Sequence, residues 1–361
     1  MINVTKTYLP DIDKYKKYID EIYETGRVTN RGPLVDKLEK RLEKYLGVKN
    51  LILVSSGTDA LKIAYRALEI KGEAITTPFS FVATTSSLVT NGIKPIFADI
   101  KKDTLNIDPK NIEKAITKET SAIVPVHVFG SVCEVEEIER IASQNNLKII
   151  YDAAHAFGVK FKGESVLKRG DISILSFHAT KIFHTIEGGA LIVNDDSLVD
   201  KVRYLINFGI KDETTILELG TNSKMNEFEA AMGMCVLDEM ENISHRRKAA
   251  WEYYERKLRG LVEFQKRGDN ETQNYGYFPI LLKNERQVVD LMEALNKKYI
   301  FPRRYFSPSL DTLPYIEPKQ TMNISRSISK RVLVLPLSAE LTKSEQKIII
   351  KIITGVLIEE A

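Results

Sequence analysis

From about Leu51 to Asn194, short β-branched runs alternate with segments of helical periodicity, the pattern of a mostly parallel sheet covered by helices on both faces. The predicted strands are Leu51–Val54, Ala74–Thr76, Pro95–Asp99, Ala122–His127, Lys148–Tyr151, Ile172–Ser176 and Ala190–Val193. Thr58–Ile70 is predicted as a helix because Leu61, Ala64 and Leu68 share one face. Asn111–Ala115 and Glu134–Ser143 read the same way, each with an acidic residue early in the segment. Upstream, Leu34, Val35, Leu38 and Leu42, followed by Tyr45 and Leu46, form an amphipathic helix entered from the turn-rich stretch Thr29-Asn30-Arg31-Gly32-Pro33.

Beyond about Asn242 the pattern changes. A long charged helix, His245–Leu258, holds the only tryptophan, Trp251, and leads to a strand within Tyr275–Leu282. A helix at Glu285–Lys297, a proline-rich loop from Pro302 to Pro318, a strand at Val332–Leu335 and a last helix at Lys343–Glu359 follow. The expected fold is therefore α/β, with a mostly parallel seven-stranded sheet in a large domain over residues 1–240 and a smaller α+β domain over 241–361.

Composition narrows the class without deciding it. With 43% hydrophobic and 28% charged residues in 361, a collagenous, disordered or disulfide-stapled chain is excluded. Lys and Arg number 52 against 49 Asp and Glu, scattered along the length, so no nucleic-acid stripe stands out. Cys133 and Cys235 form no CxxC, which predicts neither a disulfide framework nor a metal site. The N-terminus carries charges and a proline where a signal peptide needs an apolar run, and the apolar stretch at Ile348–Ile353 is broken by Lys351. A cytoplasmic protein with no membrane partner is the expectation.

Three local features carry chemistry. The first strand ends in Ser55-Ser56-Gly57-Thr58 and a helix starts at once, so backbone N–H groups and the hydroxyls of Ser56 and Thr58 converge into an anion cup. The same residues also suit an ordinary strand-to-helix turn with Ser56 or Thr58 as N-cap. Asp152 emerges from a buried apolar strand, where open α/β sheets bind ligands. A cationic partner such as a protonated ring nitrogen accounts for such a carboxylate, and capping a short helix is the plainer alternative. Lys181 lies five residues after Ser176, in a polar turn beyond a strand, and a desolvated lysine there is nucleophilic, although most lysines are solvated surface charges. A phosphate cup, a strand-end aspartate and a downstream lysine together are what pyridoxal 5′-phosphate requires, and Phe81 adds an aromatic to stack on its ring, a plain core position being the alternative.

The sequence resembles the DegT/DnrJ/EryC1/StrS family of sugar aminotransferases, whose fold is that of aspartate aminotransferase, over nearly the whole chain. The resemblance is carried by GRVTNRGPLVDKLEKRL at 26–42, SSGTDAL at 55–61, TTPFSFVATTSSLVTNG at 76–92, PIFADI at 95–100, PVHVFG at 125–130, DAAHAFG at 152–158, SFHATKIFHTIEGGAL at 176–191 and GTNSKMNEFEAAMG at 220–233. It implies that Lys181 condenses with the cofactor aldehyde and shuttles the proton, that Asp152 holds the pyridinium proton, and that His155 lies near the phenolic oxygen. It also implies that Gly57, Thr58 and Ser176 anchor the phosphate, with Ser56 of the cup beside them, that Phe81 stacks on the ring, and that Asn222 reaches the cofactor phosphate of the neighbouring subunit in a homodimer. Lysine rather than histidine at 181 favours transamination over dehydration, whereas Lys224 stands where many relatives carry arginine.

Within the family, the lysine motif and FPRRYFSPSLDTLPY at 301–315 resemble enzymes that take an amino group from L-glutamate to C4 of dTDP-4-keto-6-deoxy-D-glucose. Arg303, Arg304, Tyr305 and the turn of Thr29, Asn30 and Arg31 are the candidate contacts to the nucleotide sugar, arginine forks being suited to phosphate, and equally fit solvated loops. Amination at C3 by the same fold and a non-catalytic cofactor-binding regulator are the alternative readings.

Overall fold

The computed structural model describes residues 1–359. Seven strands form the main sheet: β1 (Leu51–Val54), β2 (Glu73–Thr76), β3 (Lys94–Phe97), β4 (Thr120–Val124), β5 (Lys148–Asp152), β6 (Ile172–Ser176) and β7 (Gly189–Val193). Their order is β1-β7-β6-β5-β4-β2-β3. All run parallel except β7, which pairs antiparallel with β1 on one side and β6 on the other. The strands are nearly all apolar because both faces are covered. Leu51, Leu53, Ile123, Ile149 and Leu175 point into one core, and Ile52, Val54, Val124, Ile150 and Ile174 into the other.

A third core belongs to the C-terminal part. There β8 (Glu263–Phe264), β9 (Phe278–Leu281) and β10 (Val332–Leu335) form an antiparallel sheet in that order. Tyr254, Leu258, Leu291, Ile349 and Ile353 pack on it. The first residues of the chain join this part, since Ile2 and Asn3 pair in parallel with Ile300 and Phe301. A fourth cluster, with Phe79, Phe129, Tyr277, Phe306 and Val334, draws on both parts and lies beside the site described below.

Helix Ile12–Thr25 was not expected from the pattern. Asp11 caps it by accepting from the N–H groups of Asp13 (2.8 Å) and Lys14 (3.3 Å), and the left-handed Gly26 ends it. Ile22 is fully buried, and Tyr15, Tyr18 and Ile19, half-buried, share its face at helical spacing. The strand placed at Ala122–His127 ends at Val124, and the long helix starts at Met240 rather than His245. Helix Pro33–Leu46 follows Gly32, which has no side chain to cap it. The buried carboxylate of Glu227 does so instead, accepting from Leu34 N–H (2.9 Å) and Val35 N–H (2.8 Å). Among the described residues no helix is long and apolar enough to cross a membrane, and no cluster of metal-ligating side chains is present.

Candidate active site

The carboxyl ends of β1, β5 and β6 and the amino end of β7 meet at one edge. Gly189 pairs with Val54 and Ser176, and Asp152 with Ile174. The pocket at this edge is lined by Ser56, Gly57, Thr58, Phe81, Asp152, His155, Ser176, Lys181 and Tyr305 of the predicted residues. Asn222, Thr29, Asn30, Arg303 and Arg304 do not line it. Asn222 is exposed, on a segment whose Ser223 carbonyl accepts the Ser55 N–H (2.8 Å) behind the cup. Thr29 and Asn30 form an exposed turn, and Arg303 is exposed beside β10. Arg304 is paired with Glu285 (2.9 Å) and also donates to the Ser329 carbonyl.

The cup is built from strand end and helix start together. Ser56 caps helix Gly57–Ala67 by accepting from Asp59 N–H (3.0 Å), so the cap and the cup are the same residues. The N–H groups of Gly57 and Thr58 precede the first intrahelical bond, Ala60 to Ser56, and have no partner among the described residues. Glycine is required at two places by close approach. A Cβ on Gly57 would lie 2.8 Å from Ser176 Cβ, and one on Gly189 would lie 2.6 Å from the Ser56 carbonyl carbon. Free amides at a helix N-terminus with two serine hydroxyls and a threonine beside them form an anion site.

Asp152 is 5% exposed. Its Oδ2 accepts from Thr84 Oγ1 (2.7 Å) and its Oδ1 from Ala154 N–H (3.1 Å), and no helix follows for it to cap. Burial raises its pKa, while the Thr84 hydroxyl, the Ala154 amide and the Lys181 charge act the other way. His155 accepts from Phe129 N–H at Nδ1 (3.2 Å), which places the proton of the neutral ring on Nε2. Burial, then the charge of Lys181, hold its pKa well below the usual range, so the ring is a neutral hydrogen-bond donor. Its ring lies nearly parallel to those of Phe129 (6.1 Å) and Phe306 (5.7 Å), which are 5.6 Å from each other, with Tyr277 edge-on at 4.8 Å. Lys181 Nζ lies 3.1 Å from Tyr277 Oη. Phe81, 57% exposed, forms part of the pocket wall.

Thr84, Tyr277 and Phe306 were not anticipated. Thr84 lies three residues after Phe81 and one helical turn from Ser80, whose hydroxyl it meets at 3.0 Å. That spacing was a usable signal. Tyr277 and Phe306 carry no local signal, because they arrive from the C-terminal part.

An α/β sheet that brings a phosphate-sized cup, a buried carboxylate and a lysine to one edge defines a lysine-dependent enzyme of the pyridoxal phosphate type. The chain belongs to the DegT/DnrJ/EryC1/StrS aminotransferase family, which matches residues 11–354. It is 44% identical over 348 residues to a dTDP-4-amino-4,6-dideoxy-D-glucose transaminase of Shigella dysenteriae, covering 94% of this chain and 95% of that one. A protein of the same name from Escherichia coli is 39% identical, with 97% and 96% covered. Among solved structures, DesI in the presence of its TDP-sugar product is similar with a TM-score of 0.94 and 29% identity, over 99% of this chain and 93% of that one.

Aminotransferases of this family depend on pyridoxal 5′-phosphate. The residues present fit that group: the glycine-floored cup suits its phosphate, and Asp152, buried with no cation in hydrogen-bonding contact, suits its ring nitrogen.

Proposed function

We propose that this chain is a cytoplasmic homodimeric aminotransferase that moves the amino group of L-glutamate to C4 of dTDP-4-keto-6-deoxy-D-glucose. The product, dTDP-4-amino-4,6-dideoxy-D-glucose, is an amino sugar of the kind built into lipopolysaccharide O-antigens. The observation that carries the substrate is the 44% identity to the Shigella transaminase along almost the entire chain, in a protein whose pocket keeps both Lys181 and Asp152.

The geometry supports the following roles. When bound, the cofactor supplies an electron sink that acidifies the carbon bearing the transferred amino group. Ser56, Gly57, Thr58 and Ser176 bind its phosphate, and Phe81 covers the ring. Asp152, oriented by Thr84 and the Ala154 amide, keeps the ring nitrogen protonated, and the neutral His155 donates from Nε2 to an oxygen. Lys181 removes a proton from one carbon and returns it to the other in each half of the cycle. Tyr305 meets the sugar, while the Thr29-Asn30 turn and Arg303 serve the nucleotide end, and Arg304 reaches it only by leaving Glu285.

Two features support the homodimer. No arginine lines the pocket, and its only basic side chains are Lys181 and the two imidazoles, although glutamate and a nucleoside diphosphate both bring anions. A second copy supplies that charge. The segment leading to Asn222 exposes Ile216 (72%), Leu217 (55%) and Leu219 (84%), an apolar strip that a second copy would cover. We further assign the cofactor to a domain of residues 1–240 and the substrate-closing wall to 241–361, supported by the separate core of the second part.

The test is a spectrum of the purified protein, then addition of glutamate, then of the keto sugar, with the product analysed by NMR. Conversion of the lysine-bound cofactor to its amine form by glutamate, and its return with a C4 amino sugar, is the expected result. A C3 amine would refute the position, and a protein that takes up no cofactor would refute the function.

A further inference from the structure

Lys181 has to stay in one place in two protonation states, since it carries a proton away from one carbon and back to another. A carboxylate beside it would favour the charged state alone. The group within hydrogen-bonding distance of Nζ is instead a neutral phenol, Tyr277 Oη at 3.1 Å, and Nζ lies 5.7 Å from the centre of the same ring. A hydroxyl accepts an N–H from the ammonium and, once that proton has gone, turns its own O–H toward the amine lone pair. Phenylalanine offers neither bond.

The tyrosine is held from behind with unusual care. It is 9% exposed and begins the approach to β9 in the C-terminal part, so it crosses to Lys181 from a different core. Arg247 and Trp251, one turn apart on helix Met240–Leu258, clamp the segment that carries it. Arg247 donates to the carbonyls of Tyr275 (3.0 Å) and Gly276 (2.7 Å), and Trp251 Nε1 donates to the carbonyl of Tyr277 itself (3.2 Å). Arg247 is buried and forms no salt bridge among the described residues, so its charge is committed to this backbone. Three successive carbonyls fixed by one helix leave the ring little freedom, and His155 packs against its edge at 4.8 Å.

We propose that Tyr277 is a further catalytic group, whose hydroxyl holds the Lys181 amine in line through both protonation states, with Arg247 and Trp251 as positioning residues. No proton is consumed by this role: the Tyr277 proton stays on its oxygen, and only the direction of the hydrogen bond reverses. The inference rests on the proposed role of Lys181.

The decisive variant is Tyr277→Phe, which keeps the ring and its packing. Cofactor stoichiometry and the KM for glutamate should stay within about threefold of wild type, while the single-turnover rate with saturating glutamate falls about ten- to a hundredfold, less than the full loss of a proton-transfer group, about a hundred- to ten-thousandfold, because Lys181 itself remains. The deuterium isotope effect with glutamate labelled at its α-carbon should rise, because proton removal becomes more rate-limiting. A role confined to folding would leave that ratio alone. The uptake rate of pyridoxal phosphate by the apoprotein, followed by visible absorbance, should fall as well, since the amine that condenses is less well placed. If Tyr277→Phe misfolds, Trp251→Phe, which removes the donor to the Tyr277 carbonyl and keeps one aromatic ring in its place, should shift the isotope effect in the same direction. A folded Tyr277→Phe with wild-type rate, isotope effect and uptake overturns the inference and leaves the function standing. A wild-type protein that takes up no cofactor overturns the function first.

Discussion

Replacing Asp152 by asparagine separates what the pocket costs the fold from what it does for the cofactor. The carboxylate is 5% exposed and accepts two hydrogen bonds, from Thr84 Oγ1 at 2.7 Å and Ala154 N–H at 3.1 Å, with no cation in direct contact. Burial raises its pKa despite those bonds, so the folded apoprotein binds this proton more tightly than the unfolded chain does. Wild-type stability therefore falls as pH rises from the ordinary aspartate range through the raised value, and stays reduced above it. Each unit of elevation costs about 1.4 kcal/mol. Asparagine has the same shape and no such loss: its oxygen takes the Ala154 N–H, and its amide donates to Thr84 Oγ1, which turns to donate to Ser80 Oγ, 3.0 Å away.

The apoprotein of Asp152→Asn should accordingly be more stable than wild type by roughly 1–3 kcal/mol at neutral pH, the range for relieving one poorly compensated buried polar group. At about 2.1 cal/mol/K of unfolding entropy per residue, a chain of 361 residues gains only about 1.3 °C in melting temperature per kcal/mol. The assay is thermal unfolding of both apoproteins from about pH 4.5 to pH 8, with cofactor titrations alongside. The gap should be widest at pH 8 and narrow toward pH 4.5, and the variant should bind pyridoxal phosphate more weakly and lose nearly all turnover. An apoprotein of the variant that is less stable than wild type at pH 8, with a gap that does not change with pH, would refute the reasoning by making Asp152 a structural anchor.

Three more outcomes are expected. Lys181→Ala should abolish turnover while circular dichroism and melting stay near wild type, because the side chain is only partly buried and makes one side-chain hydrogen bond; measurable amino-sugar product would refute its role. Gly57→Ala places a Cβ 2.8 Å from Ser176 Cβ, so the cup must widen at a cost of about 1–3 kcal/mol, read as weaker binding of pyridoxal phosphate and of inorganic phosphate. Glu227→Ala leaves the buried amides of Leu34 and Val35 unpaired, which should destabilise the protein by about 1–3 kcal/mol in urea titrations, with Glu227→Gln losing less because one acceptor remains.

Legibility in the sequence followed distance along the chain. The seven strands of the large sheet were readable because strands buried on both faces are uninterrupted apolar runs, as in Leu51–Val54 and Gly189–Val193. The cup, Asp152 and Lys181 were readable because each sits at a strand end or within a few residues of it, where local order fixes position. Their association needed only the rule that parallel strands end on one edge. Helix Ile12–Thr25 was legible by periodicity, since Tyr15, Tyr18, Ile19 and Ile22 recur at helical spacing between the cap Asp11 and the left-handed Gly26, and it packs on helix Glu227–Asp238, where Tyr15 Oη donates to the Phe228 carbonyl (3.2 Å).

Of the second wall of the pocket only Tyr305 was readable, and the reason is physical rather than a matter of finer pattern matching. Tyr277 and Phe306 look like ordinary core aromatics in their own neighbourhoods, and both are indeed buried in the cluster that joins the two parts. What turns them to the site is a set of long-range bonds: Trp251 and Arg247 on the backbone around Tyr277, and Asn274 Nδ2 donating to the carbonyls of His155 (2.8 Å) and Phe157 (3.0 Å). Asn274 thus ties the segment that carries Tyr277 to the segment that carries His155, three residues beyond Asp152. A side chain aimed by one end of the chain at a target in the other carries no periodicity, so the residues most dependent on tertiary structure are the ones a motif cannot name. The same bonds make the prediction for Tyr277 testable without touching the cofactor: loosening Asn274 or Trp251 disturbs the second wall, while Asp152, Ser176 and the cup stay on their own strands.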